Sequence, residues 1–303
     1  MKKIICIGEC SLNIVFGPDG QPLGSMPGGR IPNAAAILAR TGLRVLMASE
    51  LTTDGVGNMV ADFLQASGAD LSALDRYSEG RTPLNVFTMG ADGLPSLTRY
   101  EKYADDDEGF DIVWPRVEEG DIVVFGGYYA IAPRTRRRLS RFLENAREMK
   151  AVLVYLPGFL PVQEPRITRV MPAILENLEL ADLVLTRNDD LNLIFGVQGH
   201  GCYDKHVGFY CRSLVNVDPV ECKIVYYSGR EYSEVSIPGL QCRTLLWNAG
   251  ALAGVTDALV ACDASTETLE EPGEDFRREV LERAVKSADE AYGSATAPWQ
   301  LCE

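Results

Sequence analysis

Short apolar runs alternate along the chain with segments in which apolar residues recur at helical spacing. Ile4–Gly8 and Leu183–Thr186 are strand-length runs, whereas Val56, Val60 and Leu64 recur every four residues. Further strands are predicted at 43–48, 122–125, 152–155, 224–227 and 232–237, and further helices at 32–40, 167–175, 252–262 and 275–292. The alternation predicts an α/β fold in which helices cover a mostly parallel central sheet.

Two segments, at about 11–26 and 83–103, interrupt this alternation because they have strand patterns without intervening helices. In the second, residues 90–93 (GADG) separate two alternating runs, which predicts a hairpin. We therefore expect a single domain over 1–303, with both β segments inserted in the α/β core as a small lid over a site.

The net charge argues against two classes of partner. The chain has 303 residues, 46% of them hydrophobic, and a net charge of −14. Such a surface repels nucleic acid and anionic membranes, so neither is an expected partner. A local pocket of backbone N–H groups can still bind an anionic nucleotide.

Cysteine spacing favours an intracellular protein. The chain has eight cysteines without a CxxC pair and only two histidines, so a zinc site is not expected. We expect free thiols in a reducing cytoplasm. Neither a signal peptide nor an apolar stretch long enough to cross a membrane is recognisable.

The strongest local motif for chemistry is a glycine pair before a predicted helix. Gly28 and Gly29 let the backbone approach a ligand closely, and the free N–H groups of the next helix point to the same place. Asn33 offers a donor and an acceptor for sugar hydroxyls. Taken alone, the same pattern is also that of a structural turn.

Several stretches, in order along the chain, resemble the signatures of the ribokinase, or phosphofructokinase B (PfkB), family of carbohydrate kinases. GGRIPNAAAILARTG at 28–42 resembles the first signature, GGxxxNxAxxLxRLG. TPLNVFTMGADGLPSLTR at 82–99 resembles the lid hairpin of fructokinase-like members, and LADLVLTRNDDLNLIFG at 180–196 resembles their NxxE region. Residues 237–259 resemble the second signature region, DTxGAGDxF.

The resemblance implies a ribokinase-like three-layer αβα sandwich with a β lid, and ATP-dependent phosphorylation of a sugar hydroxyl with Mg²⁺. It also implies a small-molecule sugar as the substrate and a homodimer formed through the lid. In the family, the GAGD loop opens a helix whose N–H groups bind the transferring phosphate. Its aspartate takes the proton from the attacking hydroxyl.

The position of that aspartate departs from the family pattern. The best-spaced alignment places Asn248, Gly250 and Ala251 in the loop, with Ala251 in the position of the base. An alanine cannot accept a proton. A second alignment register keeps a carboxylate at Asp257, at the cost of about six extra residues before the loop.

Other family positions are changed as well. Asn13 replaces the aspartate that binds sugar hydroxyls. The resemblance assigns Asn188 to the NxxE motif, with Asp190 as a weak candidate for the metal, and assigns Ser228 and Gly229 to the nucleotide turn. The glycine loop at 28–33, on the sugar side, is kept, whereas the family residues on the phosphate side are replaced. Three functions therefore remain open. The chain is a sugar kinase with a rearranged site, a non-catalytic sugar- or metabolite-binding homologue (a pseudokinase), or an interaction protein that uses its lid.

Overall fold

A computed structural model of the protein describes residues 2–90, 94–103, 113–239 and 241–295. Its main sheet has nine strands, in the spatial order β13-β12-β11-β10-β9-β8-β1-β4-β5. These strands are β1 Ile4–Ile7, β4 Val45–Thr52, β5 Leu74–Tyr77, β8 Ile122–Gly126, β9 Val152–Leu156, β10 Leu183–Arg187, β11 Ser213–Asp218, β12 Lys223–Ser228 and β13 Glu231–Ser236. All neighbouring pairs are parallel except β11–β12 and β12–β13, which are antiparallel.

Helices cover both faces of this sheet. They are α1 Arg30–Arg40, α2 Gly55–Ala66, α3 Pro133–Glu148, α4 Ile167–Leu180, α5 Asn188–Phe195, α6 His200–Cys202, α7 Leu245–Ala261, α8 Thr266–Glu270 and α9 Glu274–Gly293. Strand β1 shows why there are three layers. Ile4 and Cys6 pack with α1, α2, α7 and α9, whereas Ile5 and Ile7 pack with α3, α4 and α5. Because alternate side chains enter two apolar cores, the predicted αβα sandwich is confirmed.

A second sheet has four strands in the order β3-β2-β6-β7, and we refer to this sheet as the lid. Its strands are β2 Ser11–Phe16, β3 Pro22–Gly28, β6 Arg81–Met89 and β7 Pro95–Lys102. The antiparallel pairing of β6 with β7 agrees with the predicted hairpin, whose turn residues 91–93 lie outside the described residues.

The largest difference from a predicted boundary is at the start of α7. Helix α7 begins at Leu245, seven residues before the predicted start near Leu252, and the Thr244 hydroxyl caps it by accepting a hydrogen bond from the Trp247 N–H. Strands β5 and β11 were not predicted.

The remaining structural expectations concern cysteines and membrane segments. Seven cysteines are free thiols, and five of these are buried, while Cys302 lies outside the described residues. In the part of the chain that the structure describes, the helices are too short or too polar to cross a bilayer.

The half-buried carboxyl group of Asp182, just before β10, gives the fold a pH dependence that can be tested. The Leu153 N–H donates to Asp182 Oδ2 (2.7 Å). Burial nevertheless raises the pKa of Asp182 to about 6, and this exceeds the lowering by the Leu153 N–H and Arg147. The folded chain therefore holds a proton that the unfolded chain has lost, so this group's contribution to stability falls as the pH rises from about 4 to 6.

We expect the Asp182→Asn variant to lack this fall. Its free energy of unfolding, relative to that of the wild type, should therefore rise by about 2 kcal/mol between pH 4 and pH 7. Urea unfolding at both pH values measures the difference. Asp62→Asn, at an exposed position of α2, is the control. A constant difference between Asp182→Asn and the wild type would contradict the assignment.

Candidate functional site

A cavity of about 400 Å³ lies between the lid and the carboxyl ends of the central parallel strands. Residues following β1, β8 and β9 and the last residue of β10 line its core side: Gly8, Glu9, Gly127, Gly158 and Arg187. The inward face of the lid lines the other side. In open α/β sheets, ligands bind at this edge because the loops after the strands converge there.

The lid contributes a buried row of hydrogen-bonded polar side chains. Asn13 on β2 pairs with Asn85 on β6, which in turn pairs with Arg99 on β7. The Asn85 amide donates to Asn13 Oδ1 (2.9 Å) and Ser11 Oγ (3.3 Å), and Arg99 donates to Asn85 Oδ1 (2.8 Å). Buried polar groups in such a network are held in fixed orientations, as the recognition of hydroxyl groups requires.

Glu9 joins this row to the core. It accepts hydrogen bonds from Arg99 (2.7 Å), Gln163 (3.0 Å) and the Tyr103 hydroxyl. Burial alone would lower the pKa of Arg99, but Glu9, Tyr103 and Glu101 together raise it above its ordinary value. Arg99 therefore stays charged, and the lid is bound to the core through a buried ion pair.

An ion pair lies at the core end of the cavity. Arg30, directly after the glycine pair, donates to Asp190 Oδ2 (2.8 Å) and Oδ1 (3.3 Å). Burial would raise the pKa of Asp190, but Arg30 and the charge and backbone N–H of Arg187 outweigh it and hold that pKa below its usual range. Gly158 makes room for the pair, since a Cβ there would lie 2.5 Å from Asp190 Oδ1.

The glycine motif adopts the predicted close approach. Gly29 lines the cavity with a φ of +91°, where a side chain would be strained. A Cβ on Gly28 would lie 2.3 Å from Ser11 Oγ and 2.4 Å from Asn13 Oδ1. Asn33 is buried, and its amide donates to the carbonyls of Pro27 (2.9 Å) and Gly29 (2.8 Å). Asn33 thus holds the loop in shape and does not line the cavity, whereas Asn13 and Gly29 do.

At the start of α7, the residue that reaches the cavity is Leu245. The first turn contains no acidic residue. Asn248 donates to the carbonyls of Cys242 (2.9 Å) and Thr244 (2.7 Å), so it braces the helix start. Ala251 lies in the second turn, 1% exposed within the apolar core.

The other two positions from this region lie farther along the helix. Gly250 packs against α9, where a Cβ would lie 2.6 Å from Ala288 Cα. Asp257 forms an ion pair with Arg283 (2.7 Å) and does not line the cavity. Neither therefore faces the space in which a ligand would sit.

Two of the residues that the resemblance assigns to the cofactors, Asn188 and Gly229, are engaged with other parts of the protein. Asn188 Oδ1 accepts from Asn216 (2.8 Å). The Gly229 N–H donates to the Tyr203 hydroxyl (2.6 Å), which itself donates to the Arg212 carbonyl (2.7 Å). Neither Ser228 nor Gly229 lines the cavity.

The acidic residues near the cavity do not fit a magnesium ion. Asp190 is paired with Arg30, and the largely exposed Asp189 is paired with Arg187 (2.8 Å). Over the described residues, His, Cys, Asp and Glu side chains do not gather in groups of three or more that could hold a metal. Mg²⁺ needs oxygen ligands with near-octahedral geometry, and an arginine partner supplies none.

Several lining residues were missed by the sequence analysis. They are Glu9, Ser11, Arg30, Asn85, Arg99 and Gln163. Alternation in the hairpin was an available signal, since it places Asn85 and Phe87 on one face of β6. Their partners in the network come from distant parts of the chain, which alternation does not reveal.

Comparisons with known proteins agree with the observed fold. A family model described as pfkB family carbohydrate kinase matches residues 1–207. "Probable fructokinase-4" of Arabidopsis thaliana is 23% identical over 205 residues, 64% of this chain, and the match spans 62% of that relative's length.

Solved structures resemble this one over nearly the whole chain. Fructokinase from Xylella fastidiosa has a TM-score of 0.77 at 17% identity and covers 99% of this chain and 96% of its own. Aminoimidazole riboside kinase from Salmonella enterica has a TM-score of 0.77 at 14% identity, covering 97% and 94%. The family match extends over more than half of the residues, so this chain belongs to the pfkB family of carbohydrate kinases.

Proposed function

We propose that this chain binds a sugar between its lid and core and has lost ATP-dependent phosphoryl transfer. The observation that carries the proposal is the start of α7, where Leu245 lines the cavity and the first turn has no carboxylate. In the family, the base lies where this helix opens. We therefore assign its position to the first turn instead of to Ala251, and both assignments lack a group that accepts a proton.

The missing base has a large expected effect. A positioned general base contributes about 10²–10⁴ in rate. The helix start is also less available to a phosphate group, because Thr244 occupies the Trp247 N–H (3.3 Å). The first loss leaves the attacking hydroxyl without a proton acceptor, and the second weakens binding of the transferring phosphate. Neither changes the polar side chains at the sugar end of the cavity.

An active kinase with a rearranged site is the alternative, and one observation favours it, because Asp190 lines the cavity. Asp190 is a poor base, however, since the pKa of its carboxyl is lowered and Arg30 holds both oxygens. The other candidate, Asp257, is bound to Arg283 away from the cavity.

The proposal extends to the cofactors. ATP has no evident place at Ser228 and Gly229, because the Gly229 N–H already has a partner inside the protein. The paired acidic residues do not fit Mg²⁺, and we derive no step through that ion. The sugar end is better supported. Asn13, Asn85 and Arg99 form a preorganised row of donors and acceptors at the cavity wall.

Two further parts of the proposal concern assembly and location. The outer part of the lid exposes Leu23, Leu94 and Tyr100, which supports a homodimer formed through the lid. A cytoplasmic location is supported by seven cysteines that are free thiols.

A coupled ADP-release assay with Mg²⁺-ATP and a panel of hexoses and pentoses tests the central claim. We expect turnover below about 1 s⁻¹ with every sugar, whereas typical enzymes exceed that rate. We also expect at least one sugar to raise the melting temperature, and Asn13→Ala to abolish that rise. Faster turnover that Asp190→Asn abolishes would establish the kinase alternative. The absence of stabilisation by any sugar would disprove sugar binding.

A further inference from the structure

The loop after β9 is joined to the segment after β1 by one side chain. Residues 157–163 follow β9, and Gln163 lines the cavity. Its Oε1 accepts a hydrogen bond from the Leu160 N–H (3.0 Å), and its Nε2 donates to Glu9 Oε2 (3.0 Å). Because one end of the amide must accept and the other must donate, these two contacts determine which way the amide points.

The other oxygen of Glu9 contacts the lid. Glu9 Oε1 accepts hydrogen bonds from Arg99 (2.7 Å) and from the Tyr103 hydroxyl. The Arg99 side chain is 3% exposed and lies on β7, and Tyr103 directly follows that strand. One carboxylate therefore connects three segments that are distant in the sequence: the segment after β1, the loop after β9 and the lid strand β7.

Gln163 restricts the rotation of this carboxylate. The last torsion of a glutamate side chain is broad, so a carboxylate that is held through only one oxygen can turn about its bond to Cγ. With Gln163 on one oxygen and Arg99 on the other, the plane of the carboxylate is fixed, and the charge-assisted hydrogen bond to Arg99 depends on that geometry. Arg99 also donates to Asn85 Oδ1 (2.8 Å), so its orientation affects the polar row of the lid.

Direct contact between Gln163 and a sugar is the alternative role. The Gln163 amide has a second N–H, and the side chain lines the cavity. A contact with the sugar would not depend on the charge of residue 9, whereas a role that acts through Glu9 would. This difference separates the two roles by experiment.

We propose that Gln163 is a positioning residue that holds Glu9, and through it Arg99 and β7, at the wall of the cavity. For sugar affinity the inference rests on the proposed function, and it adds the residue on which the position of the lid depends. Without the Gln163 amide, β7 loses its fixed orientation relative to the core, and the row of Asn13, Asn85 and Arg99 loses its alignment.

Gln163→Glu tests the inference because its effect should depend on pH. A protonated carboxyl group at position 163 can donate to Glu9 as the amide does, whereas an ionised one repels Glu9. Two carboxyl groups in contact share one proton at about pH 5 and are both ionised at about pH 8. We expect the β7 amide hydrogens to exchange with solvent about fivefold faster than in the wild type at pH 8, and within about twofold of it at pH 5.

The titratable groups around Glu9 are the same in both proteins. Those close enough to interact electrostatically with it are Arg99, Tyr103, Cys10 and Glu50. Since the wild type and the variant share them, the difference at each pH reports on residue 163. Gln65→Glu adds a carboxyl group at an exposed position of α2, and this control should match the wild type at both pH values.

Calorimetric titration with D-fructose, D-glucose, D-ribose and D-xylose, each used separately, measures the effect on affinity. For a sugar that binds the wild type, Gln163→Glu should bind about tenfold more weakly at pH 8 and within about twofold at pH 5. The double variant Glu9→Gln/Gln163→Glu lacks the second like charge, so this pH dependence should disappear while the affinity stays below that of the wild type. A pH dependence that persists in the double variant would overturn the positioning role, because residue 163 would then act on the sugar directly.

Gln163→Leu serves if Gln163→Glu does not fold. Leucine donates at no pH, so exchange at β7 should be faster than in the wild type at pH 5 and pH 8 alike. If either the exchange at β7 or the sugar affinity of these variants matches the wild type at pH 8, the inference is overturned and sugar binding is left intact. If the exchange at β7 changes as expected but none of the four sugars binds the wild type, the proposed function is wrong and the position of Gln163 is supported.

Discussion

Arg134→Met is expected to lower the free energy of unfolding by about 3–5 kcal/mol at pH 8. Arg134 forms an ion pair with Glu50, whose side chain is only 3% exposed. Its guanidinium also lies over the ring of Tyr103, 3.5 Å from the centroid. Removal of the arginine leaves a buried carboxylate without this partner, which costs more than the pair itself contributes.

The loss should depend on pH. Burial raises the pKa of Glu50 above its ordinary 4.5, with Glu9 and Asp75 adding to the rise and Arg134 opposing it. An acid with a raised folded pKa contributes most to stability below its unfolded pKa and loses that contribution as the pH rises. Without Arg134 the pKa rises further, so the variant should lose less stability at pH 5 than at pH 8.

Denaturant unfolding of Arg134→Met at both pH values measures the effect. Adding Glu50→Gln should recover most of the loss at pH 8, because it removes the unpaired charge. Arg278→Met is the control at an exposed ion pair with Glu274, and it should cost no more than about 1 kcal/mol. A loss that is equal at pH 5 and pH 8 would contradict the proposed cause.

The Arg134 ion pair has a consequence for the lid as well. Tyr103, just after the last lid strand, touches both Arg134 and Glu9, and Glu9 holds Arg99 at the cavity. A row of buried charges thus continues from the core into the wall that we assign to the sugar. Stability and ligand affinity should therefore fall together in Arg134→Met.

Patterns of neighbouring residues predicted parts of the α/β core, because burial of a strand and the conformation of a turn depend mainly on neighbouring residues. The strand β1 was predicted from four consecutive apolar residues, all fully buried. The close approach at Gly29 followed from a glycine pair before a helix, and the structure shows its positive φ. Such features need only neighbouring residues, so they are readable from a single chain.

The start of α7 was not readable in the same way. Leu245, Leu246 and Trp247 form an apolar run that suits a buried strand as well as a helix. The available signal was Thr244 as a capping residue, but Trp247 stands where a capping box would have glutamate or glutamine. The alignment with the family put the base at Ala251, in the second turn of α7, whereas we propose that its position lies in the first turn.

The polar wall of the cavity depends on long-range register. Asn13 and Asn85 are hydrogen-bonded although they are 72 positions apart, and Gln163 reaches Glu9 across 154 positions. The pairing of β2 with β6 brings the first two together, and nothing local to either segment specifies it. Candidate sugar-binding residues were therefore found in part, and the row they belong to was found only in the structure.

Gly254→Ala is expected to lower the free energy of unfolding by about 3 kcal/mol, although alanine is the better helix former by about 1 kcal/mol. Gly254 and Gly250 lie one turn apart on α7, on the face that packs against α9. A Cβ on Gly254 would lie 2.3 Å from the Arg283 carbonyl oxygen and 2.7 Å from Ala284 Cα. These neighbours are backbone atoms, so the helices must move apart to admit the methyl group.

The sign of the change in unfolding free energy distinguishes this packing role from a catalytic role for the same part of α7. Gly293→Ala, at an exposed α9 position with open space around it, should be neutral or slightly stabilising. If Gly254→Ala is equally harmless, the two helices are not in close contact. If it destabilises as expected while sugar affinity changes less than twofold, then glycines resembling a phosphate-binding loop serve here to bring two helices together.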